Sequence, residues 1–124
     1  MQPHLKLFLP QLPPADLIAQ FQSSTARQAV TAYLNEAVPG LNADEVVIPQ
    51  TPYSLYRQFA RSGERDGYEN PYFEKRAMLT RAVVELILSD QTRIDLVQDL
   101  LWSICEETSW VLPAHEDRGP GFEA

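Results

Sequence analysis

The chain has a single cysteine among its 124 residues, so no disulfide can form within it. It also has no apolar run near the roughly 20 residues that would cross a bilayer. The apolar stretch at residues 5–9 ends at Pro10 and is too short for a secretory signal. These absences predict a soluble, cytoplasmic protein without a membrane partner, and they leave an extracytoplasmic location open for a longer protein.

Basic residues are few. Ten lysines and arginines stand against 17 aspartates and glutamates, which gives a net charge of −7. A nucleic-acid-binding domain would show a basic patch and a high pI, so this class is not expected. Between Arg57 and Arg81, however, six basic residues outnumber four acids. Affinity for an anionic ligand is therefore expected in the middle of the chain, unless these charges only form a solvated helix face.

The chain length and the positions of the prolines predict one domain with a non-helical segment at each end. A chain of this size accommodates a single core. Prolines at positions 3, 10, 13 and 14 exclude a helix through the N-terminal segment, so residues 1–13 are expected to form an extended arm. Residues 14–115 are expected to form a helical domain, and residues 116–124 a disordered acidic tail.

Apolar periodicity predicts an all-α fold with four to five helices. Helical spacing begins at Asp16, and Ser24 gives a second start signal, so residues 15–37 form either one bent helix or two. A loop with a short strand or a turn at residues 46–48 follows, and then a helix over residues 53–61. Asn70-Pro71 predicts the start of a helix that runs to about Leu88. Thr92 predicts the start of the last helix.

The same periodicity predicts which side chains are buried in the last two helices. Each set recurs every three or four residues, as the core face of a helix does. The predicted core residues are Phe73, Leu79, Val83, Leu86 and Ile87 in the first of these helices and Val97, Leu100, Leu101 and Ile104 in the second.

The end of the last helix carries the most informative motif. Two adjacent acids, Glu106 and Glu107, are followed by Trp110 and by His115 in a loop that contains Pro113. Carboxylates, an aromatic face and an imidazole together are typical of a carbohydrate site. They are equally typical of a well-capped helix end. Trp110 is a better candidate for an exposed aromatic residue than Trp102, which is one turn before Glu106.

A second motif, over residues 53–76, combines aromatic residues and arginines between two helices. Aromatic faces stack on sugar rings, and guanidinium groups bind carboxylates in two-point contacts. Arg65 and Tyr68 are the candidates here. The alternative is that the tyrosines pack the junction while the arginines pair with neighbouring acids such as Glu69.

Neither a catalytic cysteine nor a metal or cofactor site is expected. Cys105 follows Ile104 and is predicted to lie on or near the buried face as an inert thiol. Glu106, Glu107 and His115 lack a second histidine and a metal-ligand spacing, so neither a metal site nor a cofactor is predicted.

Taken together, the two motifs resemble the N-terminal part of heparinase II/III-like polysaccharide lyases. The matching positions are Arg65, Tyr68-Glu69, Tyr72-Phe73, Lys75-Arg76, Cys105-Glu106-Glu107, Trp110 and Pro113-Ala114-His115. They span about residues 53–115, roughly half of the chain. One departure is Glu116, which stands where the family often has asparagine.

The resemblance implies an incomplete (α/α) toroid, in which helical hairpins curl around a groove that holds an anionic, uronic-acid polysaccharide. The family cleaves this substrate by β-elimination, with a neutralising Asn or His and a catalytic Tyr that lie in later parts of the toroid. This chain alone is therefore expected to be inactive. The implied substrate-binding residues are Trp110, His115, Arg65, Tyr68 and Glu107, with Glu106 and Glu107 mainly fixing the helix end.

An alternative function is a stand-alone helical interaction module without enzymatic activity. It predicts a monodisperse protein with little exposed apolar surface. The toroid segment instead predicts an open apolar edge and self-association through it.

Overall fold

The computed structural model describes residues 15–88 and 93–116. Its helices are α1 (Ala15–Gln22), α2 (Thr25–Ala37), α3 (Tyr53–Tyr56), α4 (Gln58–Ser62), α5 (Asp66–Leu88) and α6 (Ile94–Cys105), with short 3-10 helices at Pro39–Leu41 and Pro113–His115. Only Arg57 separates α3 from α4, so the two form one interrupted helix. Because none of the described residues lies in a strand, the all-α prediction is confirmed, as is the number of helices.

Residues 15–37 form two helices rather than one bent helix. The break lies at Ser23 and Ser24, and the Ser24 hydroxyl donates a hydrogen bond of 2.7 Å to the Phe21 carbonyl. A serine hydroxyl that bonds the preceding turn competes with continued helix formation, which explains the break. The loop that follows contains no strand at residues 46–48.

The predicted start of α5 at Asn70-Pro71 is wrong, because the helix begins at Asp66 and contains Pro71. Glu64 accepts a hydrogen bond of 2.9 Å from the Gly67 N–H, and the Arg65 carbonyl accepts the N–H groups of the next turn. These bonds cap the helix one turn earlier than the proline signal indicates. Pro71 then removes only one intrahelical hydrogen bond.

The hydrophobic core lies mainly between α5 and α6, which are joined by a short connection and form a helical hairpin. Its buried members are Val38, Leu41, Met78, Ala82, Val97 and Leu100. Burial of Val97 and Leu100 confirms the predicted core face of α6. Leu101, also predicted to be buried, is 46% exposed.

The predicted core face of α5 is confirmed only in part, because Leu79, Val83 and Leu86 are partly buried against the core but the other two residues are not. Phe73 is 53% exposed and Ile87 is 45% exposed, whereas Met78 is fully buried. The buried face instead includes two charged residues, Lys75 and Arg81. Periodicity in apolar residues alone could not identify a buried face that is partly cationic.

Arg81, on α5, forms hydrogen bonds with the C-terminal end of α2. Its guanidinium group donates to the Val38 carbonyl at 2.6 Å, to Asn35 Oδ1 at 2.7 Å and to Glu85 Oε1 at 2.6 Å. A buried guanidinium is tolerated only when it is well hydrogen-bonded, and each of its three nitrogens donates one of these bonds.

Several predictions lie outside the described residues: the arm over residues 1–13, the helix start at Thr92 and the tail beyond Glu116. Within the described residues, no helix combines the length and the apolar character needed to span a bilayer.

Candidate functional site

Glu107, just after the C-terminus of α6, lies at the centre of a buried ionic cluster. Its Oε1 accepts a hydrogen bond of 3.0 Å from Lys75 Nζ, and its Oε2 accepts one of 2.7 Å from Arg76 Nη2. The side chains of Lys75 and Glu107 are only 2% and 4% exposed. A carboxylate removed from water in this way requires compensating cations, and α5 supplies two.

The pKa of Glu107 reflects this balance. Burial alone raises the pKa of a carboxyl group, but the hydrogen bonds from Arg76 and Lys75 and their positive charges outweigh it and hold the pKa of Glu107 below its usual value. Glu107 is therefore ionised at neutral pH. Its lone pairs are directed at α5, which suits a structural anchor rather than a proton-transfer group.

Tyr72 makes a second connection between α5 and the segment after α6. Its hydroxyl donates a hydrogen bond of 3.0 Å to the Trp110 carbonyl. The guanidinium carbon of Arg76 lies 3.3 Å from the centroid of the Tyr72 ring, in a cation–π contact. The motif over residues 53–76 and the motif after Ile104 are thus held together in space.

Four tyrosines form a continuous row from α3 into α5. The rings of Tyr53 and Tyr56 stack with centroids 6.3 Å apart, and Tyr56 meets Tyr68 edge to face at 5.2 Å. Tyr68 in turn stacks with Tyr72 at 6.0 Å. Such contacts stabilise aromatic pairs beyond simple burial and fix the ring orientations.

This row borders a cavity of about 390 Å³ between α3, the start of α5 and the segment after α6. Its lining consists of aromatic rings, hydroxyl groups and carboxylates. The lining residues are Thr51, Tyr53, Tyr56, Tyr68, Glu107, Thr108, Ser109 and Glu116. A concave site with an apolar wall and a few polar groups is typical of small-molecule binding.

Tyr68 is the most buried of the tyrosines in this lining. It is 4% exposed, and its ring contacts those of Tyr56 and Tyr72. Burial and the negative charge of Glu107 raise the pKa of Tyr68. Its hydroxyl therefore stays protonated at neutral pH and can donate a hydrogen bond to a ligand in the cavity.

The structure brings together two of the five predicted substrate-binding residues, because Tyr68 and Glu107 line the same cavity. The other three are not part of the lining. Arg65 is paired with Glu69 at 2.9 Å, which matches the alternative anticipated for this segment. Trp110 is 61% exposed, and its indole N–H donates to the Ile104 carbonyl at 3.1 Å. His115 is exposed in the 3-10 helix at Pro113–His115.

Sequence reasoning missed Tyr53, Tyr56 and Lys75 as individual site residues. The two tyrosines carried a usable signal, since both lie in the aromatic motif. No signal in the sequence indicated that Lys75 is buried, because its partner Glu107 is 32 positions away.

The expectation for Cys105 is corrected. Its side chain is exposed rather than buried, because it lies on the outer face of α6. Residues 15–88 and 93–116 contain no group of three or more His, Cys, Asp or Glu side chains that could hold a metal ion.

Comparison with known proteins adds no further assignment, as the chain matches no protein-family model, no curated protein and no solved structure.

Proposed function

We propose that this chain is the N-terminal, carbohydrate-binding part of a heparinase II/III-like polysaccharide lyase. In this proposal its helical hairpins form the opening segment of an (α/α) toroid that binds a uronic-acid polysaccharide. The groups that carry out β-elimination belong to other parts of the toroid, so this chain binds substrate without cleaving it.

The observation that carries the proposal is the contact between the two motifs on which the resemblance rests. Glu107 pairs with Lys75 and Arg76, and Tyr72 bonds the Trp110 carbonyl. All five positions belong to the resembling motifs. Residues chosen for their likeness to one family therefore prove to be each other's partners across more than 30 positions of sequence.

The lining of the neighbouring cavity also supports carbohydrate as the ligand. Tyrosine rings offer flat apolar faces to the C–H faces of a sugar ring, and the hydroxyl groups of Thr51, Thr108 and Tyr68 offer hydrogen bonds. Glu107, held by two cations, keeps the floor of the cavity in place and does not transfer a proton.

The exposed apolar side chains of α1 and α2 support a segment that continues into a larger assembly. Neither helix has a buried residue, and Leu17, Phe21 and Tyr33 are all exposed. A stand-alone interaction module would instead be expected to have little exposed apolar surface.

Isothermal titration calorimetry with tetrasaccharides derived from heparin, alginate and polygalacturonate tests the proposal. We expect at least one of the three to bind and Tyr68→Ala to abolish binding. Tyr33→Ala is the control, because this residue lies on α2 and is exposed. We also expect no unsaturated product in an absorbance assay with the corresponding polysaccharides.

Two results would contradict the proposal. One is the failure of all three tetrasaccharides to bind the wild-type chain. The other is robust cleavage by these 124 residues alone, since that would place the reacting groups within this chain.

A further inference from the structure

The outer face of α6 exposes a large aromatic side chain beside two carboxylates. Trp102 is 69% exposed, and the neighbouring Leu101 is 46% exposed. Asp95 and Asp99 are also exposed, and neither forms an ion pair within the described residues. Because Asp95, Asp99 and Trp102 follow one another at intervals of four and three residues, they lie along one side of the helix and form an acidic stripe. Exposed tryptophan is enriched at surfaces that bind a partner.

A second exposed stripe, along α3 and α4, has the opposite charge. It consists of Tyr53, which is 70% exposed, and of Arg57 and Arg61, which follow at intervals of four residues. The guanidinium carbon of Arg57 lies 5.8 Å from the centroid of the Tyr53 ring, so the two side chains share one surface. Neither arginine forms an ion pair in the part of the chain that the structure describes. This basic stripe therefore presents two cations and one aromatic ring.

The two stripes match in spacing as well as in charge. Each has one aromatic residue at one end and two like charges that follow at intervals of about one helical turn. When the two stripes are laid side by side in opposite directions, they form one aromatic pair and two ion pairs. These pairs are Tyr53–Trp102, Arg57–Asp99 and Arg61–Asp95. Since every copy of the chain carries both stripes, the complementary surface is present on a second copy.

We propose that the acidic stripe of one copy of this chain binds the basic stripe of a second copy. The contact joins two different surfaces and is therefore heterologous. It goes beyond the proposed carbohydrate binding and does not rest on it. The stripes are short, so the interface is small and the association is expected to be weak and reversible. It is also expected to weaken as the salt concentration rises, because salt screens exposed charges.

Sedimentation velocity of the full chain tests the proposal, at protein concentrations from about 0.01 to 1 mM and at about 0.05 M and 0.5 M salt. A reducing agent is included because Cys105 is exposed and could link two copies by a disulfide. We expect the sedimentation coefficient to rise with protein concentration at low salt. The dissociation constant is expected to increase at least about tenfold at high salt.

Charge reversal of either stripe is expected to weaken this association at least about tenfold, because like charges would then face each other. The two variants are Asp95→Arg/Asp99→Arg and Arg57→Glu/Arg61→Glu. An equimolar mixture of them is expected to associate again, because each variant keeps the stripe that the other has lost. Renewed association in the mixture also shows that both variants are folded.

Asp44→Arg/Glu45→Arg is the matched control for net charge. Both residues are exposed in the loop before α3, outside the two stripes. The substitution makes the chain less negative by the same amount as Asp95→Arg/Asp99→Arg does. General repulsion between copies with a net charge of −7 decreases equally in both variants. We expect the control to associate at least as well as the wild type, so a loss of association in Asp95→Arg/Asp99→Arg alone reports on the stripe.

Three results would overturn the proposal. One is a chain that stays monomeric over the whole concentration range at low salt. Another is association that neither charge reversal weakens, which would place the contact on a different surface, such as the exposed apolar side chains of α1. The third is a mixture of the two stripe variants that does not associate.

Discussion

Lys75 and Glu107 form an ion pair of 3.0 Å in which both side chains are almost completely buried, although they lie 32 positions apart in the sequence. The pair joins the middle of α5 to the residue after the C-cap of α6. It fixes the segment that carries Thr108 and Ser109 against the tyrosine row. The shape of the cavity therefore depends on this contact.

Removal of the Glu107 carboxylate is expected to be strongly destabilising. Glu107→Ala leaves the buried ammonium group of Lys75 without compensation, and breaking a buried pair in this way costs about 3–5 kcal/mol. Glu106→Ala is the matched control, because its side chain is exposed and is expected to change the free energy of unfolding by no more than about 0.5 kcal/mol. Urea unfolding of both variants measures the difference. Similar stability of the two would show that the pair does not anchor the segment.

The ion pair also predicts how the stability of the fold depends on pH. The pKa of Glu107 in the folded chain lies below 4.5, its ordinary value. A carboxyl group with a lowered pKa stabilises the fold fully above its unfolded pKa, and this contribution is lost as the pH falls through the folded value. The stability difference between wild type and Glu107→Gln is thus expected to be constant above about pH 5 and to shrink at lower pH. Unfolding curves at a series of pH values measure it. A difference that grows in acid would have the wrong sign.

The raised pKa of Tyr68 predicts a loss of folding stability at alkaline pH, whereas Glu107 predicts a loss in acid. Burial and the charge of Glu107 raise its pKa above 10.0. Its contribution to stability is present below pH 10.0 and is lost as the pH rises through the folded value. In a spectrophotometric titration of the five tyrosines, we expect a late ionisation step that disappears in Tyr68→Phe and persists in Tyr33→Phe. Loss of the late step in both variants would argue against a special environment for Tyr68.

The burial of residues in α5 predicts which substitutions in this helix reduce stability most. Met78 is fully buried in the hydrophobic core, whereas Ile87, which apolar periodicity placed in the core, is 45% exposed. Met78→Ala is expected to cost about 2–5 kcal/mol because it leaves a cavity. Ile87→Ala is expected to cost less than about 1 kcal/mol, since much of its surface already meets water. Thermal or urea unfolding compares the two, and a larger loss for Ile87→Ala would support the original prediction instead.

The sequence predicted those features that depend on neighbouring residues. The all-α class and the burial of Val97 and Leu100 follow from local spacing, whereas the start signal at Ser24 left open whether residues 15–37 form one bent helix or two. Tyr68 and Glu107, two of the five substrate-binding residues that the resemblance implies, line one cavity, and their role in binding stays a prediction.

Features that depend on distant partners could not be predicted. Lys75 and Arg81 are charged and were expected at the surface, but their partners Glu107 and Asn35 lie 32 and 46 positions away. The early start of α5 depends on the Glu64 carboxylate bonding the Gly67 N–H, a weaker signal than Asn70-Pro71. Trp110 was chosen as an aromatic platform, yet its ring lies outside the cavity that its backbone carbonyl helps to hold.

The central claim is that the two motifs form one carbohydrate site around Tyr68. Two-dimensional ¹H–¹⁵N NMR of the full chain, titrated with whichever of the heparin-, alginate- and polygalacturonate-derived tetrasaccharides binds in calorimetry, tests it most directly. We expect the backbone amides of Tyr53, Tyr68 and Thr108 to shift together with one dissociation constant, while those of α1 and α2 stay in place. Shifts confined to α1 and α2, or shifts in only one of the two motifs, would contradict the claim.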